Sequence, residues 1–166
     1  MAISIEDFKL PRYVEIPDVG LYLDQTVKFI NRSLTPLGLA PVTASMVSNY
    51  VKKGYITNPV RKQYDREQVA HLMFISVAKN IISMEYIHRL FVLQKQMYPA
   101  QVAYDYFCTE LENMLMFTFG LKNEPEYIGV TQTELKQMLK SVIIAIAHII
   151  YLNNRLEALP EEPEKP

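Results

Sequence analysis

Apolar residues recur at helical spacing along most of the chain, and this pattern predicts six α-helices. The clearest stripe, Leu23, Val27, Ile30 and Leu34, marks a first helix over residues 21–34. The same reasoning places the other helices at about residues 43–53, 66–80, 83–97, 100–119 and 131–156. The fold class that follows is mainly α.

Polar residues and glycines at the ends of these stripes define the helix boundaries. Thr43, Asp65 and Ser83 are suited to accept a hydrogen bond from the first turn of a helix, and Asp65 has Gln68 at the position of a capping box. Gly54 and Gly120 follow helices and suit a left-handed stop. Thr131 or Thr133 is expected to cap the last helix.

Three segments interrupt the helical pattern. Residues 1–20 contain Pro11, Pro17 and Gly20 among apolar residues, which predicts an extended arm lying along a surface. In Tyr55–Tyr64, β-type residues flank Asn58-Pro59, which favours a short two-stranded wing with Arg61 and Lys62 at or near its tip. The tail 158–166 is rich in proline and glutamate and is expected to be disordered.

Charge is distributed unevenly, although the chain of 166 residues has a net charge of only −1. The interval 25–64 holds six basic and no acidic side chains, which leaves 11 of the 17 basic residues and all 18 acidic residues for the rest. A field of one sign on a compact element attracts a polyanion, so double-stranded DNA is the predicted partner. Six phosphate contacts would give a log–log salt slope of roughly −5. The alternative interpretation is an ordinary solvated face.

The C-terminal half is dense in apolar residues and predicts burial and pairing. The last helix is apolar on nearly all sides, and a C-terminal half of about 60 residues offers it limited cover. We therefore expect a homodimer formed through this helix and through the N-terminal arm. The aromatic and methionine residues of 97–119 favour core or dimer interface, and the alternative is a pocket for a small apolar or aromatic effector. The pocket residues would be Tyr104, Phe107, Met114 and Phe117.

Little in the sequence indicates catalysis, a cofactor or a metal. There is no Gly-rich phosphate loop, no GxSxG and no HExxH, so we expect no enzyme. The three histidines are far apart, the single Cys108 is interpreted as a small buried hydrophobe, and Glu110 and Glu112 are interpreted as solvated charges. The longest apolar run, residues 142–152, is interrupted by His148 and is shorter than the roughly 20 residues that span a bilayer. With no visible signal peptide, a cytoplasmic protein without a membrane segment is expected.

Residues 40–95 resemble the winged helix-turn-helix domain of MerR-type transcription regulators. The resemblance rests on Tyr50, the run Lys52-Lys53-Gly54-Tyr55, Tyr64-Asp65, and Ser83-Met84-Glu85-Tyr86-Ile87. It implies a small β-wing behind a recognition helix. Unlike MerR-type proteins, this chain has a longer first helix and following loop, and a two-helix half in place of a long coiled coil.

A second resemblance covers more of the chain. The segments LYLDQTVKFIN, TASMVSNYVKKGYI and KQYDREQVAHLMFI are similar to a bacterial family known as domain of unknown function 1836. The family name carries no biochemistry, and its own resemblance to MerR-type domains carries the DNA-binding inference. The expected organisation is an arm (1–20), a MerR-like winged helix-turn-helix domain (21–98), a helical dimerisation and effector region (99–157) and the tail.

The MerR-type pattern implies a set of DNA-contacting residues. Ser45, Ser48, Asn49 and Lys52 would face the major groove, and Lys53, Arg61, Lys62 and Arg66 would meet phosphates. Tyr50 and Tyr64 are interpreted first as packing residues between wing and helix, and second as phosphate donors. The function predicted is a dimeric MerR-like transcription regulator. The alternative is a protein-interaction module on a winged-helix scaffold that does not bind DNA.

Overall fold

The computed structural model describes residues 4–124 and 133–162, and the mainly helical fold predicted from the apolar spacing is confirmed. The described residues form six α-helices and a two-stranded sheet. The helices are α1 (Leu23–Leu34), α2 (Ala44–Lys52), α3 (Arg66–Ala78), α4 (Met84–Met97), α5 (Ala100–Thr118) and α6 (Glu134–Glu157), and the strands are β1 (Leu21–Tyr22) and β2 (Gln63–Tyr64).

Helix ends follow the local chemistry of the sequence. The side chains of Thr43, Asp65 and Ser83 accept from the backbone N–H three residues on, and Asp65 and Gln68 form the predicted capping box. Gly54 and Gly120 both have φ of 78°, which confirms them as left-handed stops. Of the two candidate caps for α6, Thr133 accepts from Lys136, and Thr131 lies outside the described residues.

The small sheet corrects two predictions. Residues 21 and 22 form β1 instead of the first turn of α1, and β1 pairs antiparallel with β2, with Leu21 opposite Tyr64. The turn expected at Asn58-Pro59 lies further along the chain, with Arg61 and Lys62 at its tip as predicted, and the described residues do not show a full two-stranded wing there. The chain reverses at Arg61-Lys62 through a single bridge between Val60 and Gln63, and the strand that pairs with β2 comes from the N-terminal side. Both errors have one cause: this strand pairing joins residues about 40 positions apart, which local patterns do not reveal.

Helix α3 lies at the centre of the molecule. Ten of its 13 residues are buried, all of them between Gln68 and Ala78. It packs against α1 on one side and against α4, α5 and α6 on the others. The segment that carries the basic residues is therefore attached directly to the helix that organises the core.

The N-terminal arm lies across α5 and ends at the sheet. It contains two short 3₁₀ turns, Ile5–Asp7 and Tyr13–Glu15, and is otherwise extended. The arm buries its own side chains Phe8, Leu10 and Ile16, as expected for an apolar segment that lies along a surface. The Tyr104 hydroxyl on α5 donates to the Pro11 carbonyl (2.7 Å), and the Asp105 carboxylate accepts from the Tyr13 N–H (2.8 Å).

A buried carboxylate holds the arm in place, which overturns the interpretation of Glu112 as a solvated charge. Glu112 is 5% exposed and accepts from Arg12 Nη1 (2.7 Å), Arg12 Nη2 (2.8 Å) and the Leu10 N–H (2.8 Å). Burial would raise the pKa of Glu112, but these hydrogen bonds outweigh it and hold the pKa below its usual value. Glu110 is also buried, so neither residue lies on a solvated face.

Helix α6 packs along α5 and buries much of its apolar seam within one chain. Leu135, Val142, Ile143, Ile146, Ala147 and Ile150 are all buried. The seam as a whole therefore does not require a second chain, and homodimerisation stays a prediction. By length and composition α6 could also cross a membrane, because it contains an 18-residue stretch with a mean hydropathy of 1.5, of which 33% is buried. The core helices of soluble proteins meet the same criterion.

The C-terminal tail begins where α6 ends. Ala158 to Glu162 are exposed and form no helix or strand. Residues 163–166 of the predicted disordered tail lie outside the described residues.

Candidate nucleic-acid interface

One face of α2 is polar and open to solvent. The helix buries Val47 and Tyr50 against the core, because these residues recur on one side at helical spacing. The opposite side exposes all five residues of α2 and its C-cap in the predicted DNA-binding set: Ser45, Ser48, Asn49, Lys52 and Lys53. Small polar side chains with Asn and Lys can donate to phosphates and base edges.

A tight basic turn follows α2 along the chain. The Val60 N–H donates to the Gln63 carbonyl (3.1 Å), and the Gln63 N–H donates to the Val60 carbonyl (2.9 Å). Only Arg61 and Lys62 lie between these two residues. Both have positive φ, 53° and 63°. This is the geometry of a two-residue turn of type I′, and both side chains are exposed at its tip.

The residues at the tip are poorly suited to that backbone. A left-handed conformation costs an ordinary L-residue about 1 kcal/mol or more, and type I′ turns therefore favour Asn-Gly. Arg61 and Lys62 are the described non-glycine residues with positive φ. The sequence thus keeps two cations where Asn and Gly would stabilise the fold better.

Hydrogen bonds behind the tip fix the orientation of the turn. The side-chain amide of Gln68 donates to the carbonyls of Thr57 (3.0 Å) and Asn58 (3.1 Å) and lies within 3.0 Å of the Thr57 hydroxyl. The same side chain accepts from the Asp65 N–H through its oxygen at 2.8 Å. Gln68 is 5% exposed, so the chain on both sides of the turn is tied to a buried side chain in the first turn of α3.

The cations of this region have no acidic partner in the part of the chain that the structure describes. In the ion pairs that join two described residues, the cations are Lys9, Arg12 and Arg89. None of these ion pairs involves Lys52, Lys53, Arg61 or Lys62. Arg32 on α1 is exposed but lines a groove beside the arm, with Arg12 and Glu15. Four unpaired cations therefore belong to α2 and the turn.

Arg66, predicted to contact phosphate, lies in a different environment. It is half-buried, with Nε donating to the Ile16 carbonyl (2.6 Å) and Nη2 to the Val14 carbonyl (2.9 Å). The phosphate contact stays a prediction, and anchoring of the arm is the role that the hydrogen bonds give it. Sequence reasoning missed this role, because the carbonyls come from a segment 50 residues earlier.

Tyr50 and Tyr64 agree with the packing interpretation. They are 7% and 4% exposed, and burial raises the pKa of both hydroxyls. Tyr64 stands opposite Leu21 in the sheet, and the backbone carbonyl of Tyr50 accepts from the N–H of Tyr55 (2.9 Å) and of Ile56 (3.3 Å).

The predicted effector pocket is only half assembled. Tyr104 and Phe107 line an apolar cavity of about 60 Å³ between α3, α4, α5 and α6. Met114 is buried away from this cavity, and Phe117 is 38% exposed on the surface. Pockets for drug-sized ligands measure roughly 300–1,000 Å³, so this cavity fits only a few atoms, and an effector stays a prediction.

Polar and thiol groups near the cavity are held neutral. His71 stacks on Phe91 (4.3 Å between ring centroids), and burial lowers its pKa. Burial raises the pKa of Cys108 to about 12, which keeps the thiol protonated and agrees with its interpretation as a small hydrophobe. Among residues 4–124 and 133–162, no group of three or more His, Cys, Asp or Glu side chains could hold a metal ion.

Comparison with known proteins identifies the family. No curated protein and no solved structure matches the chain. A family model described as Domain of unknown function (DUF1836) matches residues 11–107, more than half of the 166 residues. The match contains the second half of the arm, α1 to α4, the basic turn and the first part of α5. The chain therefore belongs to the DUF1836 family.

Proposed function

We propose that this protein is a MerR-like transcription regulator that binds double-stranded DNA as a homodimer. The observation that carries the proposal is the turn at Arg61-Lys62. Two exposed, unpaired cations occupy a backbone conformation that disfavours their residue types. Unfavourable backbone conformations that a rigid surrounding retains cluster at binding sites, and a cationic pair at such a site favours an anionic ligand.

The polar face of α2 supplies the second part of the interface. Its serines and Asn49 can reach base edges in a major groove, and Lys52 lies on the same exposed side. Lys53, Arg61 and Lys62 would neutralise phosphates and set the orientation of the domain on the duplex. The order of a strand, two helices, a tight turn and two helices supports a winged helix-turn-helix arrangement, in which the turn is a minimal wing.

Binding of the purified protein to duplex DNA fragments of random sequence tests the proposal. If Lys52, Lys53, Arg61 and Lys62 each neutralise one phosphate, each protomer contributes roughly −3.6 to the log–log salt slope, and a dimer that binds through both protomers shows about twice that value. The contribution per protomer is shallower than the sequence alone suggests. Replacing Lys52→Ala together with Lys53→Ala should halve that slope, because each lost phosphate contact removes about one unit. Fluorescence anisotropy of a labelled duplex across a salt series measures both quantities.

A matched variant separates the interface from net charge. Lys95→Ala with Lys122→Ala removes the same charge from α4 and from the segment that follows α5, and its salt slope should equal that of the wild type. Absence of any binding at low salt would refute the proposal and favour the protein-interaction module. An equal reduction of the salt slope in both double variants would show that the DNA is attracted by the overall charge of the protein and not by α2 in particular.

A further inference from the structure

We propose that two copies of this chain pair through antiparallel α6 helices, with the exposed leucines of each copy filling a groove on the other. The inference rests on the homodimer part of the proposed function and specifies its geometry. It starts from two apolar features that lie on the same helix and remain uncovered in the single chain.

The first feature is a groove between α4 and α6. Its volume is about 490 Å³, and its walls are apolar apart from Arg89 and Ser141. On the α6 side it is lined by Met138, Ser141 and Val142, and on the α4 side by residues that include Tyr86, Leu90 and Leu93. Tyr86 is 55% exposed, so the groove opens to solvent.

The second feature is a pair of leucines near the other end of α6. Leu152 and Leu156 are 53% and 60% exposed, and Ile144 is 36% exposed. Residues four apart lie on one face of a helix, so these three side chains form a single apolar strip with His148 in its middle. A strip of this kind on a helix surface requires an apolar partner to be buried.

The relative position of the two features selects the symmetry. On α6 the groove centres on Ser141, and the two leucines lie about a dozen residues further along the helix. At the rise of an α-helix, the groove and the leucines are about 20 Å apart. A two-fold axis near His148 places the leucines of each copy in the groove of the other, so the same contact forms twice. Parallel pairing would place groove opposite groove and leucine opposite leucine. An isologous contact of the antiparallel kind closes as a dimer.

The charges that border the two features are consistent with this arrangement. Arg89 borders the groove with its side chain 70% exposed, and its exposed pair with Glu85 is of a weak type. Residues 157–162, which follow the leucines, carry Glu157, Glu161 and Glu162 and no cation, and Arg155 lies between the two leucines. Antiparallel pairing brings this acidic segment toward Arg89 of the other copy.

Engineered cysteines test the register in the full chain. The natural Cys108 is fully buried, so it adds no background to mild oxidation with diamide. His148→Cys should form a disulfide-linked dimer, because the two-fold axis places residue 148 of one chain beside residue 148 of the other. Ser141→Cys and Arg155→Cys should cross-link when mixed, and neither alone, because a disulfide needs Cα atoms within about 7 Å. Non-reducing gel electrophoresis reads out the result.

Two outcomes of this experiment would overturn the inference. Efficient self-linking of Ser141→Cys would indicate parallel pairing. Absence of a cross-link in every variant, with monomers in sedimentation equilibrium, would show that α6 is not a dimer interface. If that monomer still binds DNA with a salt-dependent affinity, the interface fails while the proposed DNA binding stands.

Charge substitution provides a second measurement. Leu152→Glu with Leu156→Glu should convert the dimer to a monomer at micromolar concentration and leave the helical circular dichroism unchanged, because both side chains are exposed. Val102→Glu on α5, 52% exposed, is the matched control and should remain dimeric. If the unaltered chain stays monomeric and instead binds vesicles of phosphatidylcholine and phosphatidylglycerol, the occupant of the strip is a membrane and the inference is refuted.

Discussion

The basic turn and the Glu112 anchor hold charge in opposite ways. Glu112 is buried and its carboxylate is met by two nitrogens of Arg12 and one backbone N–H within 2.8 Å. Arg61 and Lys62 are exposed and form no ion pair with the described residues. The fold satisfies the first charge itself and leaves the other two exposed and unpaired. Burial and pairing, more than residue type, separate the charge that holds the fold together from the charges that we propose to contact DNA.

The two regions are also connected along the backbone. Glu112 holds Leu10 and Arg12, Arg66 holds the next stretch of arm at Val14 and Ile16, and the arm then becomes β1. Strand β1 pairs with β2, which leads directly out of the basic turn. The buried and hydrogen-bonded charges thus support the base of the turn that carries the exposed, unpaired ones.

The largest effect that we expect is from Glu112→Ala. Removing this carboxylate leaves the Arg12 guanidinium without its anionic partner and the Leu10 N–H without an acceptor in a partly buried site, which should lower the free energy of unfolding by about 3 kcal/mol. Urea denaturation followed by circular dichroism measures the loss. Glu85→Ala, which breaks the exposed pair with Arg89, is the control and should cost less than about 0.5 kcal/mol. Equal costs for the two variants would contradict the contrast between the regions.

A smaller effect should follow from acid. The pKa of Glu112 lies below its unfolded value of about 4.5, because its hydrogen bonds outweigh the effect of burial. Its contribution to stability is therefore fully present above pH 4.5 and is lost as the pH falls through the lower folded pKa. Protonation keeps the carboxyl group in place, so the loss is less than for deletion. Glu112→Gln should flatten the dependence of unfolding free energy on pH below 4.5, and an unchanged profile would argue against the anchor.

The smallest effect has the opposite sign. Arg61→Asn with Lys62→Gly supplies the residues that a type I′ turn prefers, and should raise the free energy of unfolding by about 1 kcal/mol. The same variant should make the salt slope of DNA binding shallower by about 1.8 per protomer, because each protomer loses two phosphate contacts. Denaturation and anisotropy on one preparation test both halves. A less stable variant would contradict the backbone cost assigned to Arg61 and Lys62, and an unchanged slope would remove the turn from the interface.

Sequence analysis predicted well what is determined locally. The six helices and their caps at Thr43, Asp65 and Ser83 follow from stripes and polar residues within a few positions of each other. The exposure of Ser45, Ser48, Asn49, Lys52 and Lys53 follows in the same way, because Val47 and Tyr50 define the buried side of α2.

What the sequence did not reveal depends on distant partners. Glu112 looks like any helical glutamate until Arg12, 100 residues earlier, is placed beside it. The position of the turn depends on β1, whose two residues continue the apolar stripe of α1 and so look helical. The exposed strip on α6 was hidden because the sequence is apolar around most of the helix, and only packing against α5 shows which side remains free.

The position of Glu112 on α5 has a practical consequence for anyone who expresses part of this protein. The family match ends at residue 107, within α5 and before Glu112. A fragment trimmed to residues 11–107 would keep Arg12 and discard the carboxylate that binds it, and would cut α5 in the middle. The segment that defines the family by sequence is therefore shorter than the set of elements that pack together here, and expression boundaries should extend through the end of α5 at least.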